Sequence, residues 1–195
     1  MGLYLTTTPG SRIGDTYDYW VTARAVAMKA ELAPGSDTIT IDEIGIYAGL
    51  LGDAGTEKFK AAIFTHNSGS NMPDSMVANS DSGDITITET TWTKKNYLYT
   101  GTKPILTAGV QYWIALLIPA YTSKVIYFDM KSSGAPTSLD ISATSWPTDW
   151  TGHADRGYGY AIYVVYSTVA SGLSILLAAN GLGGNMLGGN LNLMG

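Results

Sequence analysis

The residues able to do chemistry in this chain are few and far apart. Two histidines and no cysteine occur among its 195 residues, so disulfides and thiolate chemistry are excluded, and a metal site would need carboxylates brought in from distant loops. His66 lies in Thr65-His-Asn-Ser-Gly69 and His153 in Thr151-Gly-His-Ala-Asp-Arg156. Both settings read as polar turns, which predicts exposed loop histidines with no ligand role. The closest acidic pairs are Asp42-Glu43 and Asp53 with Glu57. Two carboxylates hydrolyse glycosides only at a defined separation across a cleft. In a chain with sixteen acids, neighbours of this kind read as solvated turns or strand edges. Segments 67–74 and 79–84 have the oxygen density of a calcium loop, but the same Asn, Asp and Ser residues build Asx turns, and turns are expected here. No Gly-x-Ser-x-Gly elbow, His-Glu-x-x-His pair or phosphate loop occurs. The expectation is a protein that is not an enzyme and carries no cofactor and no metal.

Contact residues are better represented. Trp146-Pro-Thr-Asp-Trp150 places two indoles in one Pro-containing connection. Exposed indole faces stack on sugar rings and anchor protein interfaces, so Trp146 and Trp150 are candidates for glycan or protein contact. The competing structural role is to plug the open end of the fold. A second candidate is the end of the sequence. Residues 157–195 contain no charge, and the last fifteen read Gly181-Leu-Gly-Gly-Asn-Met-Leu-Gly-Gly-Asn-Leu-Asn-Leu-Met-Gly195. So much Gly makes ordering costly in backbone entropy, while Leu182, Met186, Leu187, Leu191, Leu193 and Met194 are a large apolar surface to leave in water. Burial against another polypeptide resolves both, and these six residues are the candidate partner-binding set of an assembly arm.

Charge narrows the partners. The net charge is −5, the charged fraction 14% and the isoelectric point about 4.8, and no basic cluster exceeds Lys94-Lys95. Nucleic acid, which rewards clustered Lys and Arg, is not an expected partner. A membrane span over residues 161–182 would be uncharged throughout, yet it contains several Ser and Thr residues, lacks flanking Lys or Arg, and begins with a β-branched and aromatic run. A strand is expected there instead. Residues 1–10 have neither the basic nor the long apolar region of a secretory signal.

The elements that must position these residues follow a two-residue period. Thr38-Ile-Thr-Ile-Asp-Glu-Ile-Gly-Ile-Tyr47 alternates polar with apolar; Lys58–Phe64, Asp84–Thr88, Tyr97–Tyr99 and Lys124–Asp129 are further strands. Gln111–Ile118 is almost continuously apolar and suits a central strand covered on both faces. Residues 157–166 supply the last strand. Residues 19–32 are rich in Ala but also alternate, and strand is preferred over helix; residues 171–179 are the best short-helix candidate. About eight strands at short spacing, joined by Gly, Pro, Asn and Asp turns, predict an all-β antiparallel sandwich or jelly roll over 1–170, followed by a Gly-rich apolar C-terminal arm over 171–195.

The stretch from Ile39 to Ile118 resembles a β-sandwich module of phage and bacterial surface proteins, sometimes labelled choice-of-anchor domains. The resemblance rests on Ile44-Gly-Ile-Tyr47, Ala62-Ile-Phe64, Pro73-Asp-Ser-Met-Val-Ala-Asn-Ser80, Leu106-Thr-Ala-Gly109 and Tyr112-Trp-Ile-Ala-Leu116. It implies a sandwich and no particular activity. Beneath it, Gly109 supplies a turn, after which Tyr112 and Trp113 fall on opposite faces of the next strand. Together these readings lead to a virion structural protein, such as a phage-type capsid decoration protein at the particle surface. It is expected to be made in a host cytoplasm, to homo-oligomerise, and to dock through its arm on the capsid lattice or on sister subunits. The alternatives are a carbohydrate-binding or adhesive module of an extracellular or cell-surface protein, and a membrane- or filament-anchored subunit using residues 171–182.

Overall fold

The computed structural model describes residues 4–6, 16–30, 32–33, 37–52, 54–120, 124–131, 138–156, 159–160 and 162–168. Every regular element among them is a strand, and the strands form two sheets packed as an all-β sandwich. The six residues assigned to the arm, and the helix expected at 171–179, lie outside the described residues.

The first sheet is organised by β4 (Thr38–Leu51), a strand of 14 residues. Along one side β4 pairs with β15 (Ile162–Thr168) from Ile46 to Ile39, then with β11 (Val125–Lys131) from Ala48 to Leu51. Along the other it pairs with β8 (Thr93–Leu98) and β9 (Ile105–Thr107). The short strand β1 (Tyr4–Thr6) runs parallel to β15, and β2 (Thr16–Trp20) and β14 (Gly159–Tyr160) pair with β11. The second sheet runs β13 (Ala154–Arg156), β12 (Ser138–Ile141), β3 (Arg24–Lys29), β10 (Tyr112–Ile118), β5 (Glu57–Asn67), β6 (Met72–Met76), with β7 (Ile85–Ile87) on the first half of β5. Within 19–32 the alternation does mark strand, as Tyr19–Trp20 of β2 and all of β3 (Arg24–Lys29), but the segment breaks after Trp20 and the two strands join different sheets.

Alternation decides what each face buries. In β10, Tyr112, Ile114, Leu116 and Ile118 enter the core between the sheets, while Trp113, Ala115 and Leu117 face outward into a second cluster. All seven residues of β10 are buried, as a strand covered on both faces requires. Gly109 has φ +73°, and the Val110 amide donates to the Thr107 carbonyl at 3.3 Å, closing the turn that starts this phase.

In β4 the phase slips. Ile39 and Ile41 point inward, and so do Ile44, Ile46, Ala48 and Leu50, which leaves two residues, Asp42 and Glu43, where alternation allows one. The register against β15 shifts at the same place, between Val165 and Tyr166. An inserted residue in one strand is a β-bulge, and it bends and twists the strand locally. The acidic pair is therefore the product of a register slip.

Candidate functional site

Both sheets carry aromatics on their outer faces, and the two faces are finished differently. On the second sheet, Ala25, Ala27, Ala62 and Ala115 keep the surface shallow between Phe64, Trp113 and Leu117. The connection 142–153 between β12 and β13 folds back over it. Trp150 is 1% exposed and meets the Phe64 ring edge-to-face at 5.8 Å; Trp146, half-buried, does the same at 5.6 Å. Hydrogen bonds within the connection fix its shape. Asp149 accepts from the Thr151 amide at 2.8 Å and from its hydroxyl at 2.7 Å, which holds the Asp149 carboxyl below its ordinary range. His153 Nδ1 lies 2.8 Å from the Trp150 carbonyl oxygen. Among the described residues, neither indole N–H of this lid has a hydrogen-bond partner. Trp150 is therefore no exposed platform for a glycan or a protein, because the hollow between the alanines needs its volume. The pair covers a sheet face, not the open end of the sandwich.

On the first sheet the outer face is built on two glycines of β4. A Cβ at Gly45 would stand 2.5 Å from the Tyr163 hydroxyl, and one at Gly49 would collide with the Tyr127 hydroxyl and lie 2.8 Å from the Thr91 carbonyl oxygen. Each tyrosine is the cross-strand partner of its glycine, so the ring lies flat across the gap, covering backbone that the missing side chain would expose. Tyr163 donates to Glu43 Oε1 at 2.6 Å, and burial, then Glu43, push its hydroxyl pKa up. Tyr127 donates to the Thr90 carbonyl at 3.0 Å.

Beyond Tyr127 the face opens into a hollow of about 240 Å³ walled by Tyr17, Leu51, Trp92 and Tyr127, with Leu50, Gly52 and Thr90 completing it. Trp92 meets Tyr127 edge-on at 4.5 Å, and Tyr17 approaches both rings at 6.1–6.3 Å. Tyr17 and Leu51 are about half exposed. The wall carrying Trp92 is tied down twice, by the Leu50 amide donating to the Glu89 carbonyl at 2.8 Å and by Tyr127 on Thr90. Glu89 also pairs with Lys95 at 2.5 Å, and that contact, with the Thr88 amide, lowers its carboxyl from 4.5 to about 2. Among the described residues, none lining the hollow is charged.

The remaining sequence candidates have structural roles. His66 is half-buried on β5, where a polar turn was expected, because it accepts the Trp113 indole N–H on Nδ1 at 3.0 Å. Burial, then Lys29, lower its pKa, in keeping with a ring nitrogen that accepts a hydrogen bond. Glu43 and Glu57, 6% and 2% exposed, are not solvated acids; Glu43 receives Tyr163 and Lys94, and Glu57 accepts the Lys124 amide at 2.9 Å. Asp42 pairs instead with Lys103 at 2.7 Å, and Asp53 lies outside the described residues. The two oxygen-rich loops are turns. Asn67 Oδ1 accepts from the Gly69 and Ser70 amides, and Asp81 from Gly83. Ser80 and Ser82 turn their hydroxyls to the Ile63 and Ala61 amides of β5, replacing the missing backbone pairs between β6 and β7. No family model, curated protein or solved structure matches the chain.

The aromatic hollow was missed in the sequence because Tyr17, on β2, and Trp92, in the loop between β7 and β8, are distant in the chain and each is flanked by polar residues. Their only signal was an aromatic flanked by threonines at Thr91-Trp-Thr93.

Proposed function

We propose that this protein is a non-enzymatic structural subunit of a virus particle, a phage-type capsid decoration protein or another particle-surface component. The sandwich is its outward body, and residues 171–195 are the arm that docks it on the lattice or on a sister subunit. The observation that carries this reading is where the last strand ends. Strand β15 ends with Thr168 paired to Ile39 at one pole of the sandwich, and the sequence continues from there through a stretch without charge and rich in Leu, Met and Gly. The polar groups with catalytic potential support the reading too, since His66, Glu43 and Glu57 each hold a strand or a loop in place. The likeness of residues 39–118 to surface modules of phage and bacteria agrees with it.

The carbohydrate alternative rested on Trp146 and Trp150, and Trp150 is enclosed by its own fold. For the membrane-anchored alternative, no helix among the described residues is long and apolar enough to cross a bilayer, and its anchor segment lies outside them. The test is particle composition. Mass spectrometry of particles purified from the source should find this chain in stoichiometric copies, and a variant ending at Ser171 should fold yet be missing from them. Full occupancy by the shortened variant, or absence of the intact chain from particles, overturns the proposal.

A further inference from the structure

The exposed large apolar side chains of the described residues gather at the two ends of β4. Tyr17 and Leu51, which line the aromatic hollow, lie at its C-terminal end with Val21, since Val21 follows Trp20, which pairs with Ile126 beside Leu50. Leu32, Ile105 and Val110 lie at its N-terminal end: Ile105 pairs with Thr40, and Ala33, next to Leu32, is hydrogen-bonded to Val110 and Gly109. These six are between 41% and 60% exposed, and Leu98 lies between the two groups, opposite Glu43. The last described residue, Thr168, lies at the second pole, paired with Ile39. A strand of 14 residues separates the poles by about 43 Å, at about 3.3 Å per residue.

The geometry points to a head-to-tail contact between copies, in which the Leu/Met arm of one protein fills the aromatic hollow at the opposite pole of the next. This rests on the arm reading above and names the surface that receives the arm. Three observations carry it. The hollow, about 240 Å³, is below the roughly 300–1,000 Å³ of pockets for drug-sized ligands, so it suits one or two side chains. Its aromatic walls carry no charge among the described residues, which matches an uncharged arm, and methionine sulfur packs well against aromatic edges. Finally, stacking pole on pole covers both groups of exposed apolar residues at once, whereas an arm folded back into its own hollow leaves the exit pole bare. Donor and acceptor on different surfaces make the contact heterologous, so it propagates into a ring or an open row and does not stop at a two-fold dimer.

A complementation experiment tests this. One variant ends at Ser171 and keeps the hollow; the other, Tyr17→Ser with Leu51→Ser, keeps the arm, and both substitutions are at half-exposed positions. Near-ultraviolet circular dichroism checks that each is folded, and Leu51→Ser alone replaces the second variant if Tyr17→Ser unfolds. In sedimentation velocity the intact chain should form a concentration-dependent ladder. Each variant alone should associate at least about 30-fold more weakly, the scale of losing one hot-spot residue. Their equimolar mixture should give a one-to-one dimer and nothing larger, because one arm and one hollow remain. A mixture that stays monomeric while the intact chain assembles overturns the hollow as acceptor and leaves the arm reading standing. A shortened variant that assembles like the intact chain overturns both. An intact chain that is monomeric at every concentration overturns docking between copies; incorporation into particles then tests the lattice by itself.

Discussion

The two outer faces of this sandwich use the same kind of side chain to opposite ends. On the second sheet, tryptophans from the 142–153 connection close over a bed of alanines, and Trp150 becomes as buried as the core between the sheets. On the first, tyrosines lie flat over glycines, and at one pole three rings stand around a space they do not fill. The difference comes from what faces the aromatics. A long hairpin connection can fold back and seal a face, whereas the first sheet has its outer aromatics held by strands and a short tied loop that cannot reach across. An aromatic count therefore says little about binding, and the covering element decides.

The largest expected effect falls on the sealed face. Trp150→Ala should lower the free energy of unfolding by about 3–5 kcal/mol, the range for truncating a buried Trp, read by denaturant titration. Trp150→Phe should cost far less, because its indole N–H has no partner among the described residues to lose. A small effect of the alanine variant would mean that the lid is not closed in solution. Next comes Gly49→Ala, which drives a methyl group into Tyr127 and should cost about 1–3 kcal/mol by overpacking. Tyr17→Ser, on the open face, should change stability by no more than about 0.5 kcal/mol while weakening association, and that separation of effects is what distinguishes the two faces.

The smallest effects are those of pH, and they separate the faces by window. His66, which holds Trp113 on the sealed side, has a folded pKa below its ordinary 6.5. The unfolded chain then binds more protons below that value, so the stability His66 contributes is full above about 6.5 and declines as pH falls. Glu89, which ties the wall of the hollow, is lowered from 4.5 to about 2; its contribution is full above 4.5 and is lost as pH falls toward 2. Being well exposed, it is screened by solvent, and its effect is small. Hydrogen exchange of residues 88–92 should rise below pH 4.5, and Glu89→Gln should remove that rise. Exchange around Trp113 should respond at higher pH and lose its response in His66→Gln.

Much of the fold was legible. The two-residue period located β4, β5, β10 and β11, and the unbroken apolar run of β10 correctly implied cover on both faces. What escaped was anything set by a partner in space. The acidic pair Asp42-Glu43 reads as solvated until the phase slip between Ile41 and Ile44 is noticed, and that slip was visible in the sequence. His66 reads as a turn residue because nothing local announces Trp113, 47 positions away, as its donor. Trp146 and Trp150 read as contact residues in the sequence, and only the alanines on β3, β5 and β10 explain why Trp150 is enclosed instead. The hollow joins Tyr17, Leu51, Trp92 and Tyr127 from four separate segments, and no spacing rule collects them.

The central claim, that an apolar arm of one polypeptide completes the open face of another, is tested most directly by hydrogen exchange of the intact chain over a range of concentrations. The account predicts that amides of residues 16–20 and 88–92 gain protection as concentration rises, that the lid at 142–153 does not change, and that a variant ending at Ser171 shows no gain anywhere. Protection around the hollow that is independent of concentration, or identical in the shortened variant, would contradict it.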